Sequence, residues 1–271
     1  MKWEQFEEKA LEFLKNNFSD PSNFSLEGKS NSNTSDILYK DRINEFYIEV
    51  KMPISQSGQF VLNEDKQNKK FIYSDKNRSK LNEFSEEILT YMNSNFNFFS
   101  ENKKTKAEIA LDKQIFYNWI INYYENKNVK FIITLYDSKY IIFPIHKLSS
   151  YFDVYAIYRE KQSGSRRLST KNLDDFKKAL QENQIKYAFD NMDIKSEQDL
   201  DNLIIRSENN RYLLKWKDDR YDIRHLSNTR NSNVIFSLKL FKKLDENMLK
   251  EDLKYFKDLL KKIALSNIFG D

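Results

Sequence analysis

Asp36, Glu49 and Lys51 are the residues of this 271-residue chain whose types and spacing could do chemistry together, with Glu7 upstream as a possible fourth. Asp36 follows Ser35, and twelve residues separate it from the run Glu49-Val50-Lys51. Alternate residues of a strand share a face, so Glu49 and Lys51 point one way and Val50 points into a core. If the segments around Asp36 and Glu49 pair as a hairpin, two carboxylates and an ammonium converge. Two adjacent carboxylates repel, and one of them ordinarily takes up a proton. A hard divalent cation relieves that repulsion; Mg²⁺ accepts one or two carboxylates together with waters and phosphate oxygens. A lysine beside such an ion can orient or help deprotonate a water, an arrangement suited to in-line attack on a phosphodiester. Ordinary surface ion pairs are the competing explanation of the same residues.

Elements able to position these groups can be read on either side of them. Trp3, Phe6, Ala10, Phe13 and Leu14 recur at helical spacing, which predicts an amphipathic helix over 2–18 ended by Ser19-Asp20-Pro21. Glu7 falls on that stripe, where it needs a partner unless its stem covers the stripe and its carboxylate reaches water. Ser35–Tyr39 and Glu45–Lys51 read as strands, closed by Pro53. Helices are expected over 79–99 and 111–126, and Val129–Leu135 and Tyr140–Phe143 as a strand pair across a short turn. This succession predicts an α/β unit around a mixed sheet in residues 1–150. Residues 151–271 change character, with short strands, a helix near 173–180 and a final amphipathic helix over 246–265.

Composition removes many alternatives. The chain has no Cys and only His146 and His225, so thiol chemistry, iron–sulfur clusters and an H-E-x-x-H zinc site are excluded. Its four glycines, Gly28, Gly58, Gly164 and Gly270, are too far apart for a phosphate-cradling loop. Lys and Arg number 45 against 41 acids, a net charge of +4 that says little about partners by itself. No apolar run is long enough to span a membrane, and MKWEQFEEKA lacks the apolar core of an export signal, so a cytoplasmic protein is expected.

The Asp36/Glu49/Lys51 arrangement resembles the PD-(D/E)XK nuclease signature, with Ser35 where its first Pro would stand. The flanks resemble the HhaI-type restriction endonucleases of that superfamily more closely. The resemblance is carried by Trp3-x-x-Phe6-Glu7, Thr34-Ser35-Asp36-Ile37-Leu38, Phe46–Pro53, Ser55–Leu62, Asn118-Trp119-Ile120 and Ile141–Ile145. It continues through Tyr158-Arg159, Ser163–Arg166 and Leu226–Thr229, then Asn231 and Asn233–Ser237, collinear over about residues 1–240. Two departures stand out: in the family the spacing from Asp to Glu is one residue shorter, and Ala separates Glu from Lys. Neither alters the strand parity of Glu49 and Lys51. The resemblance implies a nuclease core with a mixed sheet flanked by helices, joined to small β-rich DNA-recognition subdomains in 151–271. It implies a monomeric type II restriction endonuclease that cuts duplex DNA at GCGC with Mg²⁺, paired with a methyltransferase protecting host DNA. Asp36 and Glu49 would bind the metal, Lys51 would assist the attacking water and Glu7 would be an accessory acid.

A GCGC site offers guanine O6 and N7 acceptors and cytosine N4 donors in the major groove. Two segments carry matching groups. Arg159, Arg166 and Lys171 lie in a basic stretch around Gly164, a residue that lets backbone approach DNA closely. Ser227, Asn228, Thr229, Arg230, Asn231 and Asn233 form a run dense in donors and acceptors, read as a loop between strands and, by the resemblance, as a main base reader. The alternatives are a solvated basic turn and an Asn-rich turn that tolerates left-handed backbone. Two other functions fit a nuclease-like or acidic cluster: a structure-specific repair or recombination nuclease, and a non-catalytic DNA-binding protein.

Overall fold

Phe6, Ala10 and Leu14 recur every fourth residue and form the buried stripe of helix α1 (Trp3–Asn17), whereas Trp3, at the margin of that stripe, is exposed. The structure, a computed structural model, describes residues 3–18, 20–27, 35–162, 164–190, 192–217 and 219–269, with backbone alone at 266–269. Gly28, Gly270 and the polar run 28–34 lie outside these residues. The described backbone divides into two units, one made of residues 1–159 and 233–271 and the other of 160–232. A division at residue 150 was expected. The helix Leu148–Tyr151 and the strand Phe152–Gln162 instead carry the chain through that point without a break, and the C-terminal strand and helix return to the first unit, where their apolar residues are buried.

In the first unit, β1 (Phe24–Leu26), β2 (Ile37–Lys40) and β3 (Glu45–Val50) lead into a long strand, β4 (Ile54–Asp65), and β5 (Lys70–Tyr73). Pro53 ends β3 as expected, but β4 follows at once. The helix expected over 79–99 is two helices, α2 (Glu83–Ser94) and α3 (Phe96–Asn102). Asn82 caps α2 by accepting from the Ser85 amide at 2.9 Å, which leaves Leu81 outside the helix and exposed. Then come β6 (Ala107–Glu108), α4 (Lys113–Glu125), β7 (Val129–Tyr136), β8 (Lys139–Pro144), α5 (Leu148–Tyr151) and β9 (Phe152–Gln162). The β7–β8 turn is the two-residue Asp137-Ser138, both at positive φ, the geometry that matches the twist of a tight hairpin.

The first sheet has the order β1-β2-β3-β7-β8 and is mixed, because β3 and β7 run parallel while its other neighbouring pairs are antiparallel. One face packs Ile37, Ile48, Val50 and Ile133 against Phe6, Ala10 and Leu14 of α1 and against Phe256, Leu260 and Ile263 of the last helix. The other face gives Val129, Ile132 and Phe143 to a core shared with α2 and α4 and with a second sheet, β5-β4-β16-β9-β6, in which β16 is Arg230–Leu240. Helix α4 is buried on most of its circumference, at Ile115, Phe116, Tyr117, Trp119, Ile120 and Tyr124.

The second unit starts at the end of β9 and holds β10 (Ser165–Arg167), α6 (Leu173–Glu182), β11 (Ala188–Asp190), β12 (Asp193–Lys195), β13 (Ile204–Arg206), β14 (Arg211–Lys217) and β15 (Arg220–Leu226). Its sheet is ordered β11-β12-β15-β14-β13, with β10 also on β15. Phe176, Ala179 and Leu180 of α6 cover Tyr212, Leu214 and Ile223. Strand β16 (Arg230–Leu240) begins here and re-enters the first unit, followed by α7 (Glu246–Phe269). No helix among the described residues is long and apolar enough to cross a membrane.

Gly58 in β4 has φ +122°, and a β-carbon there would sit 2.7 Å from Trp119 Cζ3. A Gly58→Ala substitution is therefore expected to destabilise the fold by about 2–4 kcal/mol, through backbone strain and overpacking together. Urea denaturation checks this; an unchanged midpoint would mean that the close approach to Trp119 carries no weight.

Candidate active site

The β2–β3 register assembles the site. Ile37 pairs with Ile48, so one step outward Asp36 stands across from Glu49. The Val50 amide donates to Asp36 Oδ2 at 2.8 Å and ties the carboxylate to the neighbouring strand. On its other side β3 is held by β7, where the Lys51 amide donates to the Ile133 carbonyl at 2.9 Å. Val50 is buried among the residues under α1, as strand parity requires. Glu49 and Lys51 turn to the opposite face and are themselves buried, at 6% and 8% exposed.

Both oxygens of Glu49 are engaged. Oε1 accepts from Lys51 Nζ at 2.5 Å and from Tyr124 Oη at 3.0 Å, and Oε2 accepts from the hydroxyl of the buried Ser35. Tyr124 Oη also lies 3.2 Å from Ser57 Oγ, and its ring lies under the Lys51 ammonium at 5.3 Å. Burial alone would favour a protonated Glu49, but the Lys51 charge and the bonds from Lys51, Ser35 and Tyr124 outweigh it and hold the carboxyl below its usual range. Burial would likewise discharge Lys51, and the Glu49 carboxylate overrides that, keeping the ammonium well above its usual range.

Asp36 has the opposite balance. Burial, with the Glu49 charge adding to it, pushes its carboxyl up to about 8 despite Lys51 and the Val50 amide. Glu7, half-buried on α1, is lifted to about 7 by burial and then by Glu49. The structure thus gathers the four groups expected from sequence into one electrostatic cluster. Sequence reasoning missed Tyr124 and Ser57. Tyr124 stands four residues after Ile120 on the buried stripe of α4, a spacing that could have found it.

The groups expected to contact DNA are distributed less uniformly. Only Ser227–Thr229 link β15 to β16; Arg230, Asn231 and Asn233 belong to the strand, where paired backbone replaces the expected loop. Asn233 is 2% exposed, which takes its side chain out of the solvent-facing set. Arg230 is exposed and pairs with Glu160 at 3.2 Å. Arg159 is half-buried, and its Nε is buried without a hydrogen-bond partner among the described residues.

In the second unit, Gly164, Ser165, Arg166, His225, Ser227 and Asn228 line a cavity of about 380 Å³. Arg166 Nε donates to His225 Nδ1 at 3.3 Å, while His225 Nε2 meets Asn210 Oδ1 at 2.9 Å. Burial, followed by the Arg166 charge, lowers the imidazole below its usual range, consistent with a neutral ring that accepts at Nδ1 and donates at Nε2. Arg211 Nη2 donates to the Ser227 carbonyl at 3.0 Å, and Asn228 Nδ2 to the Asn209 carbonyl at 2.7 Å, so β14 and its preceding turn brace the short link. Lys171 is exposed.

No family model and no curated protein sequence matches the chain. Among solved structures, it is similar to the HhaI endonuclease in complex with DNA: 39% identity, TM-score 0.87, covering 95% of this chain and 98% of that one. The chain belongs to the HhaI restriction endonuclease family. Residues 241–271 are more than a tenth of the sequence, so a likeness covering 95% of it extends beyond the stretch where sequence motifs carried the resemblance. HhaI-type enzymes are site-specific deoxyribonucleases, a class that generally uses a divalent metal ion.

The paired acids give this HhaI-type chain a pH signature. Asp36 and Glu7 prefer their protonated forms in the fold, so their stabilising contribution is complete below the ordinary carboxylate range and is lost as pH rises through about 7 and 8. Glu49 contributes in the opposite sense, losing its share on acidification. In chelator, the melting temperature is expected to be higher near pH 6 than near pH 9, and Asp36→Asn should flatten that alkaline decline. Scanning calorimetry across this range decides it; an equally steep decline in the variant would show that Asp36 is not its source.

Proposed function

We propose that this chain is a monomeric, cytoplasmic type II restriction endonuclease that hydrolyses duplex DNA at GCGC with Mg²⁺, paired with a methyltransferase that protects the same sequence. The observation that carries this reading is the end-to-end likeness at 39% identity to an HhaI endonuclease bound to DNA. Its support within the chain is the buried Asp36/Glu49/Lys51 cluster at the end of β3.

Asp36 and Glu49 are the residues that would hold the metal. Among the described residues no three His, Asp or Glu side chains gather as a metal cluster. Two carboxylates with waters and phosphate oxygens are nonetheless a set that Mg²⁺ accepts. The fit is supported by Asp36, whose carboxyl is raised by burial and then by the Glu49 charge, both of which a dication would offset. When bound, such an ion lowers the pKa of water and offsets charge developing on the phosphodiester. Lys51, kept protonated by Glu49, donates to the attacking water and to the scissile phosphate. Tyr124 and Ser35 fix the Glu49 carboxylate, and Glu7 borders the site as an accessory acid.

For base reading, Arg166, Ser227, Asn228 and Thr229 surround or adjoin one cavity with outward polar groups, and Arg159 and Asn231 flank them in sequence. A bidentate arginine–guanine contact is worth about 1–3 kcal/mol. The buried, unpartnered Nε of Arg159 supports a role completed by DNA, since such a group costs about 1–3 kcal/mol when left unsatisfied. Lys171 and Arg230 are assigned to phosphate.

With Mg²⁺, plasmid containing GCGC is expected to be cut at those sites and plasmid lacking them left intact. Preference for branched DNA would instead make the chain a structure-specific nuclease, and binding without Mg²⁺-dependent cutting would leave only a DNA-binding protein. Lys51→Ala is expected to abolish cutting while site-specific binding survives. Gly164 is exposed, and a β-carbon there meets nothing within 4 Å, so Gly164→Val should leave stability within about 0.5 kcal/mol of the parent yet weaken binding. Unchanged binding in a gel-shift titration would remove the segment around Gly164 from the DNA contact.

A further inference from the structure

A second cavity, lined by none of the acidic-cluster residues, lies in the first unit. It has a volume of about 410 Å³, between the segment before α2 and the outer side of α4. Arg78, Lys80 and Lys127 line it, and no carboxylate does; Glu83 and Glu125 adjoin it in sequence but are not among its lining residues. Lys127 Nζ is held over the Tyr123 ring at 4.4 Å, a contact that keeps an ammonium at the wall instead of letting it range through solvent.

The amides of the wall are already oriented. Asn82 Oδ1 is used by the Ser85 amide, and Asn122 Oδ1 accepts from both Asn82 Nδ2 and Asn126 Nδ2 at 3.0 Å each. The Asn82 and Asn122 oxygens are thereby engaged inside the wall, and Asn122 Nδ2 makes no hydrogen bond among the described residues. Three cations, an amide donor and no lining acid make a site for an anion.

The covalent framework says which anion. Asn122, Tyr123 and Asn126 line the cavity, and the next residue after Tyr123 on the same helix is Tyr124, bonded to Glu49 at 3.0 Å. The Tyr123 and Tyr124 rings meet edge to face with centroids 5.2 Å apart, so one aromatic pair joins the cavity wall to the acidic cluster. A DNA strand carries one phosphate per about 3.4 Å of helix axis, so a strand engaged at the acidic cluster brings further phosphates close to it. We propose that this cavity is a phosphate subsite for the DNA strand being cut, receiving a phosphodiester that flanks the recognition sequence. The proposal rests on the reading of the chain as a nuclease of duplex DNA; it adds a contact that carries no sequence information but increases the length of DNA the enzyme engages.

The test compares two duplexes containing one GCGC site, one with two base pairs on each side and one with fifteen. Wild-type protein is expected to cut the longer duplex with the higher kcat/KM. The variant Arg78→Gln/Lys80→Gln/Lys127→Gln should lose about tenfold of that advantage near 0.1 M salt, with its salt slope reduced by about one to two. Its kcat at saturating DNA and its kcat/KM on the short duplex should match wild type. Lys80→Glu, a charge reversal at an exposed position, is expected to show the same length-dependent loss and serves if the triple variant does not fold. Equal activity of variant and wild type on the long duplex would overturn the proposal, as would an equal loss on both lengths. So would stabilisation of wild type by a mononucleotide with no length-dependent defect in the variant, which would make the cavity a free-nucleotide site. If wild type fails to cut either duplex at GCGC, the functional reading itself has failed, a result distinct from all of these.

Discussion

A carboxylate shut away from water stays an anion only when cations and donors surround it. Glu49 meets that condition through Lys51, Ser35 and Tyr124, and the rest of the catalytic unit is arranged to make this possible. The β2–β3 register brings Ser35 and Asp36 alongside, the parallel β3–β7 pairing fixes the strand end that carries Lys51, and α4 supplies Tyr124 from across the sheet. Removing one partner of such a buried pair typically costs about 3–5 kcal/mol, whereas apolar residues of matching shape in both places are often neutral or stabilising. Stability by itself therefore gives no reason for the pair. Under the proposed function its presence is accounted for by the chemistry assigned to it, and Asp36, whose carboxyl burial and the Glu49 charge keep protonated, would exchange that proton for a cation.

How much of this could be read beforehand follows from the kind of interaction involved. The convergence of Asp36, Glu49 and Lys51 was legible because strand parity is a local rule, and one register shift would have undone the entire face. Strand β4 was not legible: its Ser55-Gln56-Ser57-Gly58-Gln59 stretch has the composition of a loop, and only burial against α4 makes it a strand. Tyr124 was visible as a member of an apolar stripe, but its hydroxyl is explained only by a carboxylate that reaches it across tertiary structure. The Ser227–Asn233 run was read as loop because Asn and Ser dominate it. Pairing of β16 overrides that preference from Arg230 onward, and the burial of Asn233 follows.

The cations of the second unit illustrate why a net charge says little about a binding surface. Arg167 pairs with Asp193 and Asp222, Arg220 with Asp190 and Asp219, and Arg224 with Asp222. These pairs are exposed or half-buried and contribute little individually. Their effect is to neutralise one part of the sheet, while Arg166 and Lys171 make no ion pair among the described residues. Part of the cationic charge is thus cancelled locally, in a chain whose net charge is +4.

The second unit leaves the first at Arg159 and returns at Asn233, and the strands that carry these residues, β9 and β16, are neighbours in one sheet. The cut ends of the nuclease core therefore already lie side by side. The 73 residues between them form a hydrophobic core of their own, so the insert behaves topologically as a cassette held by two adjacent stems. Evolution can rewrite or exchange that cassette without moving a strand that supports Glu49 or Lys51. If the insert reads the target as proposed, target preference and hydrolytic machinery would be free to diverge at different rates within a single polypeptide.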